Sequence, residues 1–418
     1  MDKLLLVLLL SLASLAAADE IYQNSSHICE RCICREDPDE FFLDCTGQHF
    51  EHVLANWPPH NKTLVATFSY NNMTTLEILP DTEQKAKLVL DHCNIRYVDP
   101  GVFKGVKNVE FIDMSYNLLT TEEIDGEDFK GPYNNSVFYP IPVKHLNLAY
   151  NQIHSLPRKF FENMPDLKEL NLEGNDFYVL DQNTQMALSS LSKLKRLNLA
   201  DNELTELVGH AVKGLDNLVE LNLASNRLDF VPETLDYLKN LQSLNISDNY
   251  IFEIRDDSFL GGMNDHLDFI GLYITNTSIT LLDYTLLSWS NLRVLELKDN
   301  TLECDCDLYK ISRDLHPDIT RTRDGPRCID PRTDASVQMY ALEEDICDLE
   351  IRKPGIYHAA RHFETLRVIL ITLTTMFTIT TLVAVTIACL RYRKGSAYRN
   401  YNFTTQVQYN PLQTQYRI

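Results

Sequence analysis

Residues 167–177 read Leu-Lys-Glu-Leu-Asn-Leu-Glu-Gly-Asn-Asp-Phe, residues 194–204 read Leu-Lys-Arg-Leu-Asn-Leu-Ala-Asp-Asn-Glu-Leu, and residues 218–228 read Leu-Val-Glu-Leu-Asn-Leu-Ala-Ser-Asn-Arg-Leu. All three share one frame, Leu-x-x-Leu-x-Leu-x-x-Asn-x-Leu. Its Leu-x-Leu centre has the period of two that marks a short strand with one face buried and one exposed. Asn175, Asn202 and Asn226 follow the strand, where the chain turns inward and buries backbone groups that have no sheet partner. A carboxamide can both donate and accept there, so hydrogen-bond accounting asks for Asn at that point.

The frame extends in both directions. It fits Val109 to Leu119, Val143 to Ile153, Leu241 to Ile251 and Leu292 to Leu302, and degenerate copies centre on Asn71, Cys93 and Thr275. The ladder then runs Asn71, Cys93, Asn117, Asn151, Asn175, Asn202, Asn226, Asn249, Thr275, Asn300, which counts ten repeats. Cys93 and Thr275 are expected to do part of the asparagine's work, with a reactive thiol as the alternative for Cys93. Asn117 and Asn151 are 34 residues apart, so an insertion sits near Glu122 to Pro140. Insertions in solenoids map to loops, and this one is either a glycosylated loop or a contact element.

In many copies and one register, this motif resembles the leucine-rich-repeat family over residues 60–302. The resemblance implies an α/β solenoid in which neighbouring strands form a curved parallel sheet, a horseshoe of about ten repeats. One repeat cannot bury its own apolar face, so such arrays need capped ends. Cys29-x-x-Cys32-x-Cys34 with Cys45, followed by Trp57-Pro58-Pro59, resembles the family's N-terminal cysteine-rich cap (19–59), and Cys304-x-Cys306 with Cys328 and Cys347 resembles its C-terminal one (303–347). Four cysteines allow three pairings; the resemblance implies Cys29–Cys34, Cys32–Cys45, Cys304–Cys328 and Cys306–Cys347. A zinc site in the first cluster is the alternative, disfavoured for an exported chain.

Export is expected from the N-terminus. Residues 1–18 carry Lys3, an apolar run from Leu4 to Leu15 and Ala16-Ala17-Ala18, the parts of a signal peptide. Val368 to Leu390 is 23 residues without a charge, Gly or Pro, long enough for one transmembrane helix. Residues 391–418 hold five basic side chains and no acid, which places them in the cytoplasm. The expected topology is single-pass type I at the plasma membrane, with the N-terminus outside and a stalk at 348–367. Asn24, Asn61, Asn72, Asn134, Asn245 and Asn276 are the sequons on the extracellular side.

The net charge is −21; with five positive charges after residue 390, the remainder carries −26. That field argues against nucleic acid, heparin-like chains and anionic head groups, and mildly favours a basic partner, although solubility alone also accounts for it. No hydrolase elbow, Walker loop, kinase signature or His-Glu-x-x-His pair occurs, and the twelve histidines are scattered, so neither an enzyme nor a cofactor is expected.

Recognition is the remaining task. The residue before the ladder position is Tyr70, His92, Tyr116 and Tyr150 in the first four repeats, an aromatic stripe about 15 Å long at a strand spacing of about 4.8 Å. Phe111 and His145 lie on the same face, and exposed aromatics are typical interface anchors; the other reading is that Tyr is simply common at this position. Asn147, Asn171, Asn198, Asn222 and Asn245 occupy the central strand position. Beyond the solenoid, Cys389 is a palmitoylation candidate, Tyr409 to Leu412 has the Tyr-x-x-hydrophobic form of a sorting signal, and Tyr416-Arg417-Ile418 has the form of a strand-adding carboxyl terminus. These features predict a recognition or adhesion receptor that binds a protein ligand on its concave face. Adaptors would engage the tail, and the span leaves room for a homo- or hetero-oligomer. The alternative is an auxiliary subunit that tunes a channel or another receptor through its transmembrane helix.

Overall fold

The computed structural model describes residues 28–134, 136–207, 210–252, 254, 268–320 and 325–348. The chain divides after Cys347 into two units, and the repeats with both cysteine clusters belong to the first. The signal peptide, Asn24, the Val368–Leu390 span, and Cys389, Tyr409, Leu412, Tyr416 and Ile418 lie outside the described residues. Among the described residues no helix is long and apolar enough to cross a membrane.

One twelve-stranded sheet runs the length of this first unit. It opens with an antiparallel pair, Ile33–Glu36 and Glu40–Asp44, and the second strand starts a parallel ladder that never breaks. Ten strands follow, one per repeat: Thr63–Thr67, Thr82–Val89, Val106–Asp113, His145–Asn147, Glu169–Asn171, Arg196–Asn198, Glu220–Asn222, Ser243–Asn245, Gly271–Tyr273 and Val294–Glu296. The middle residue of each three-residue strand, such as Leu146, Leu170, Leu197 and Leu221, points inward, and these four are at most 2% exposed.

Each ladder asparagine does the work expected of it. Asn175 accepts the Ile153 N–H through Oδ1 at 3.1 Å and donates through Nδ2 to the carbonyls of Leu148 (2.9 Å) and Leu172 (3.1 Å), so one side chain ties two successive coils. Asn117 and Asn226 repeat the arrangement. Cys93 takes the same place. Its buried thiol donates to the Phe68 carbonyl at 2.9 Å, and burial pushes its pKa up to about 11, so the thiolate is disfavoured.

The ninth repeat differs from expectation. The strand register pairs Asn245 with Tyr273 and Tyr273 with Glu296. Counting four residues on from Tyr273, as Asn249 stands from Asn245, puts the ladder position at Thr277 and not at Thr275. Thr277 meets Asn300 Oδ1 through both its N–H (3.0 Å) and its hydroxyl (2.7 Å). The slip has a simple cause: a shift of two residues preserves strand parity, and Leu267, Ile270, Leu272 imitates the apolar spacing of Phe269, Leu272, Ile274. Burial separates the two frames, because Ile270 is 42% exposed while Phe269 and Ile274 are buried.

The insertion is ordered as a two-stranded antiparallel hairpin, Tyr133–Asn134 against Val137–Phe138. Buried Phe129 moors the segment that precedes it, and the Gly101 N–H donates to the Glu127 carbonyl at 3.0 Å. Phe129 stacks on Phe103 and meets Phe160 edge-on in the interior, and within the segment the buried Asp128 Oδ2 accepts the Asp125 N–H at 2.7 Å. At the ends, disulfides join Cys29–Cys34, Cys32–Cys45, Cys304–Cys328 and Cys306–Cys347. Trp57 covers the first coils and donates to the Pro80 carbonyl. The helix Cys306–Asp314, capped by the Asp305 carboxylate, lays Leu308 and Ile311 over the last one.

Replacing Asn175 with Ala leaves the buried Ile153 N–H without a partner and removes one of two donors from the Leu148 and Leu172 carbonyls, which keep Asn151 and Asn202; it is expected to cost about 1–3 kcal/mol, lowering the denaturant midpoint well beyond an Ala substitution at exposed Asp176. A shift no larger than that control would refute the ladder account. Burial, followed by the negative charges of Asp125, Glu127 and Asp99, pushes the Asp128 pKa up to about 6. Its folded value therefore lies above its unfolded one, and the ionised carboxylate weakens the fold above pH 6 while the cost fades as pH falls towards 4. Asp128→Asn, which keeps the acceptor, should stabilise the protein by on the order of 1 kcal/mol at pH 7.5 and hardly at all at pH 4; equal shifts at both values would contradict the assignment.

Candidate functional site

The residue before each ladder position sits in the left-handed region: φ is 58° at Tyr70, 54° at His92, 53° at Tyr116 and 53° at Tyr150, then 64° at Gly174. A bulky side chain there costs of order 1 kcal/mol, but the turn throws it outward, clear of the core. Since the strands are parallel and in register, the four rings come to lie one above another. Centroids are 4.4 Å apart at every step, with interplanar angles of 21°, 13° and 9°. Each contact of this kind contributes about 0.5–1.5 kcal/mol beyond burial, enough to offset the backbone conformation. Tyr70 and Tyr116 remain 61% and 46% exposed.

Two carboxylates fix the stack. Asp91 Oδ2 meets His92 Nδ1 at 2.8 Å, and its other oxygen accepts from Ser69. Glu173 Oε1 accepts the Tyr150 hydroxyl at 3.0 Å, and that bond raises the Tyr150 pKa. The final ring lies over Gly174, where a Cβ would fall 2.3 Å from Tyr150 Cδ1. Glycine is therefore required at this position for room, and it adopts the left-handed φ at no steric cost.

Phe111 and His145 belong to a separate column. The register Phe111–His145–Glu169–Arg196–Glu220–Ser243 runs along the concave face. Phe111 and His145 have their centroids 6.2 Å apart. His145 Nδ1 meets Glu169 Oε2 at 2.8 Å, and Glu169 also pairs with Arg196. Burial, then the positive charges of Arg196, Lys144 and Lys168, lower the His145 pKa. The column lines a trough of about 440 Å³ together with the five central asparagines.

Those asparagines have a structural duty: Oδ1 of Asn147, Asn171, Asn198, Asn222 and Asn245 each accepts the N–H two residues on, at 3.0–3.1 Å. That bond fixes which edge of the carboxamide faces the backbone, leaving Nδ2 for the trough. Asn198 Nδ2 donates to Glu173 Oε2 at 2.9 Å. Glu173 thus joins the stack, through Tyr150, to the trough, through Asn198.

The structure consequently sorts the six aromatic candidates into a stack of four, Tyr70, His92, Tyr116 and Tyr150, and a pair, Phe111 and His145, in the trough. Sequence reading missed Glu169, Arg196 and Glu173. The first two share the strand position of Phe111 and His145, so the register pointed to them; the bridging role of Glu173 depends on rotamers that no pattern encodes. Of the sequons, Asn61, Asn72 and Asn276 are exposed, and Asn245 lines the trough. Among the described residues no cluster of His, Cys, Asp or Glu could hold a metal ion.

Residues 141–195 and 192–251 match the family model described as Leucine rich repeat. This region is a leucine-rich-repeat array. The chain is 27% identical over 247 residues to osteomodulin of Rattus norvegicus, covering 57% of this chain and 52% of that one. It is 31% identical over 264 residues to the transforming growth factor beta activator LRRC33 of Danio rerio, covering 56% of this chain and 35% of that protein. It thus spans between about a third and a half of these curated relatives. A chain from a solved complex of latrophilin 3, Unc5D and the leucine-rich-repeat protein FLRT2 superposes with a TM-score of 0.57 at 20% identity, covering 75% of this chain and 98% of that one, and shows the same fold.

Gly174→Ala should tilt Tyr150 out of the stack and cost about 1–2 kcal/mol through the left-handed backbone and the clash together. Adding Tyr150→Ala removes the clash but not the backbone cost, so the double variant should recover part of the loss. Strict additivity of the two substitutions in a thermal melt would show that the ring does not press on residue 174.

Proposed function

We propose that this chain is a cell-surface recognition protein, held at the plasma membrane by the Val368–Leu390 segment with its repeats outside, and that it binds a protein ligand on the concave face. The observation that carries this reading is the pairing of an exposed aromatic stack with a polar trough through Glu173. Ordered aromatics ringed by satisfied polar groups are what hot spots are made of, and here the rings are ordered before any ligand arrives, which lowers the entropy cost of binding. Three charged or titratable groups of the trough are engaged with one another, since Glu169 holds both His145 and Arg196; outside its lining, Glu110 holds both Lys85 and Lys144. That supports a binding surface and not a catalytic one. The relationship to a protein named as a growth-factor activator supports a protein partner. The tail after residue 390, with Tyr409 and Tyr416, would act through adaptors.

Proximity labelling on living cells tests the reading. A peroxidase fused to the chain should mark a set of surface or secreted proteins, and Tyr116→Ala with Tyr150→Ala should deplete that set severalfold at unchanged surface level. An identical labelled set for the native chain and the double variant would overturn the proposal.

A further inference from the structure

The aromatic stack has unlike ends. At one end Tyr150 lies over Gly174 and leaves no space. At the other, Gly47 holds the equivalent position in the N-terminal cap: its N–H donates to the Ser69 carbonyl, as the Tyr70 N–H donates to the Asp91 carbonyl and the His92 N–H to the Ser115 carbonyl. Its φ of 66° belongs to the same left-handed series. A Cβ built on Gly47 meets nothing within 4 Å. A ring at residue 47 would be the fifth in the stack; the glycine leaves that place open, and the outer face of Tyr70 looks onto it, since the stacking partner of Tyr70 is His92 on the other side.

The strand that leads to Gly47 ends in a carboxylate with no cation paired to it among the described residues. Asp44 lies three residues before Gly47, as Thr67 lies three before Tyr70, and the two are paired across the sheet. Asp44 is exposed, its Oδ1 accepts only from its own neighbour Thr46, and no cation pairs with it among the described residues. Arg31, which donates to the Gln48 carbonyl, has its guanidinium committed to the Phe50 ring at 4.1 Å.

We propose that the open face of Tyr70 above Gly47, with Asp44 at its side, is a seat for an arginine side chain of the protein partner. A guanidinium is planar, stacks on an aromatic face and presents a fork of donors to a carboxylate; an ammonium can do only the last as a point charge. The chain's net charge of −21 draws a basic partner to the surface. This inference deepens the concave-face reading and rests on it, giving the chemistry of one anchor.

The test uses the full chain in neutral detergent with hexa-arginine and hexa-lysine peptides as probes. The arginine peptide should bind about fivefold tighter than the lysine one. Gly47→Tyr, whose φ is one that Tyr70, Tyr116 and Tyr150 already adopt, fills the seat with the chain's own ring and should bring the ratio to about one without weakening the lysine peptide. Tyr70→Ala removes the platform and should do the same, so the result does not hang on one variant folding, and Asp44→Asn should lower the ratio. A ratio of one in the native chain, or a ratio untouched by Gly47→Tyr and Tyr70→Ala, overturns the proposal. So does a neutral tryptophan-bearing peptide that binds as tightly as hexa-arginine and is lost in Gly47→Tyr, which would make the seat one for an uncharged ring. Loss of the labelled partner set in the Tyr116 and Tyr150 variant reports on the concave face independently, so either idea can fail alone.

Discussion

Everything in this solenoid depends on how the backbone is satisfied at the inward turn after each strand. A buried amide or carbonyl without a partner costs about 1–3 kcal/mol, and every coil buries several. The ladder asparagine meets that demand with one side chain that reaches both its own coil and the one before it. Coupling between neighbours is therefore built into each turn, and the strand ends that lead into the turns stay paired from Asp44 to Glu296, the register shifting only further back, between Thr82–Val89 and Val106–Asp113.

That register carries the surface as well as the core. Residues that follow no strand rule by themselves, such as Tyr116 or Glu169, are placed by counting from the nearest ladder position. The parallel spacing of the strands brings rings from repeats 22 to 34 residues apart in sequence to a uniform 4.4 Å. The insertion between Asn117 and Asn151 does not disturb this, because Phe129 and the Glu127 carbonyl hold it on the rest of the coil while the strands at Val106–Asp113 and His145–Asn147 pair directly.

Much of this was legible in the sequence because a strong repeat leaves few frames to choose from. The column of Tyr70, His92, Tyr116 and Tyr150 followed from the frame alone. The frame failed where two registers of equal parity had equal apolar support, at Thr275 against Thr277, and the strand pairing, the Thr277–Asn300 hydrogen bonds and the exposure of Ile270 separate them. It was silent on the hairpin at Tyr133 to Phe138, which has no repeat to align with. It also held no hint that Glu173 would bridge Tyr150 and Asn198, since that depends on side-chain torsions.

The left-handed residue before each ladder position has one further consequence. It is the one place in the coil where the backbone demands something of the chain, a positive φ, while the interior demands nothing of the side chain. Tyr, His, Gly, Asp, Ser and Asn all occupy it in this protein without altering the core. Such a column is free to drift, one substitution at a time, while the scaffold that displays it stays the same. The length and position of the ring stack can thus be reset by exchanges at single residues, which would let one solenoid acquire new partners without being folded anew.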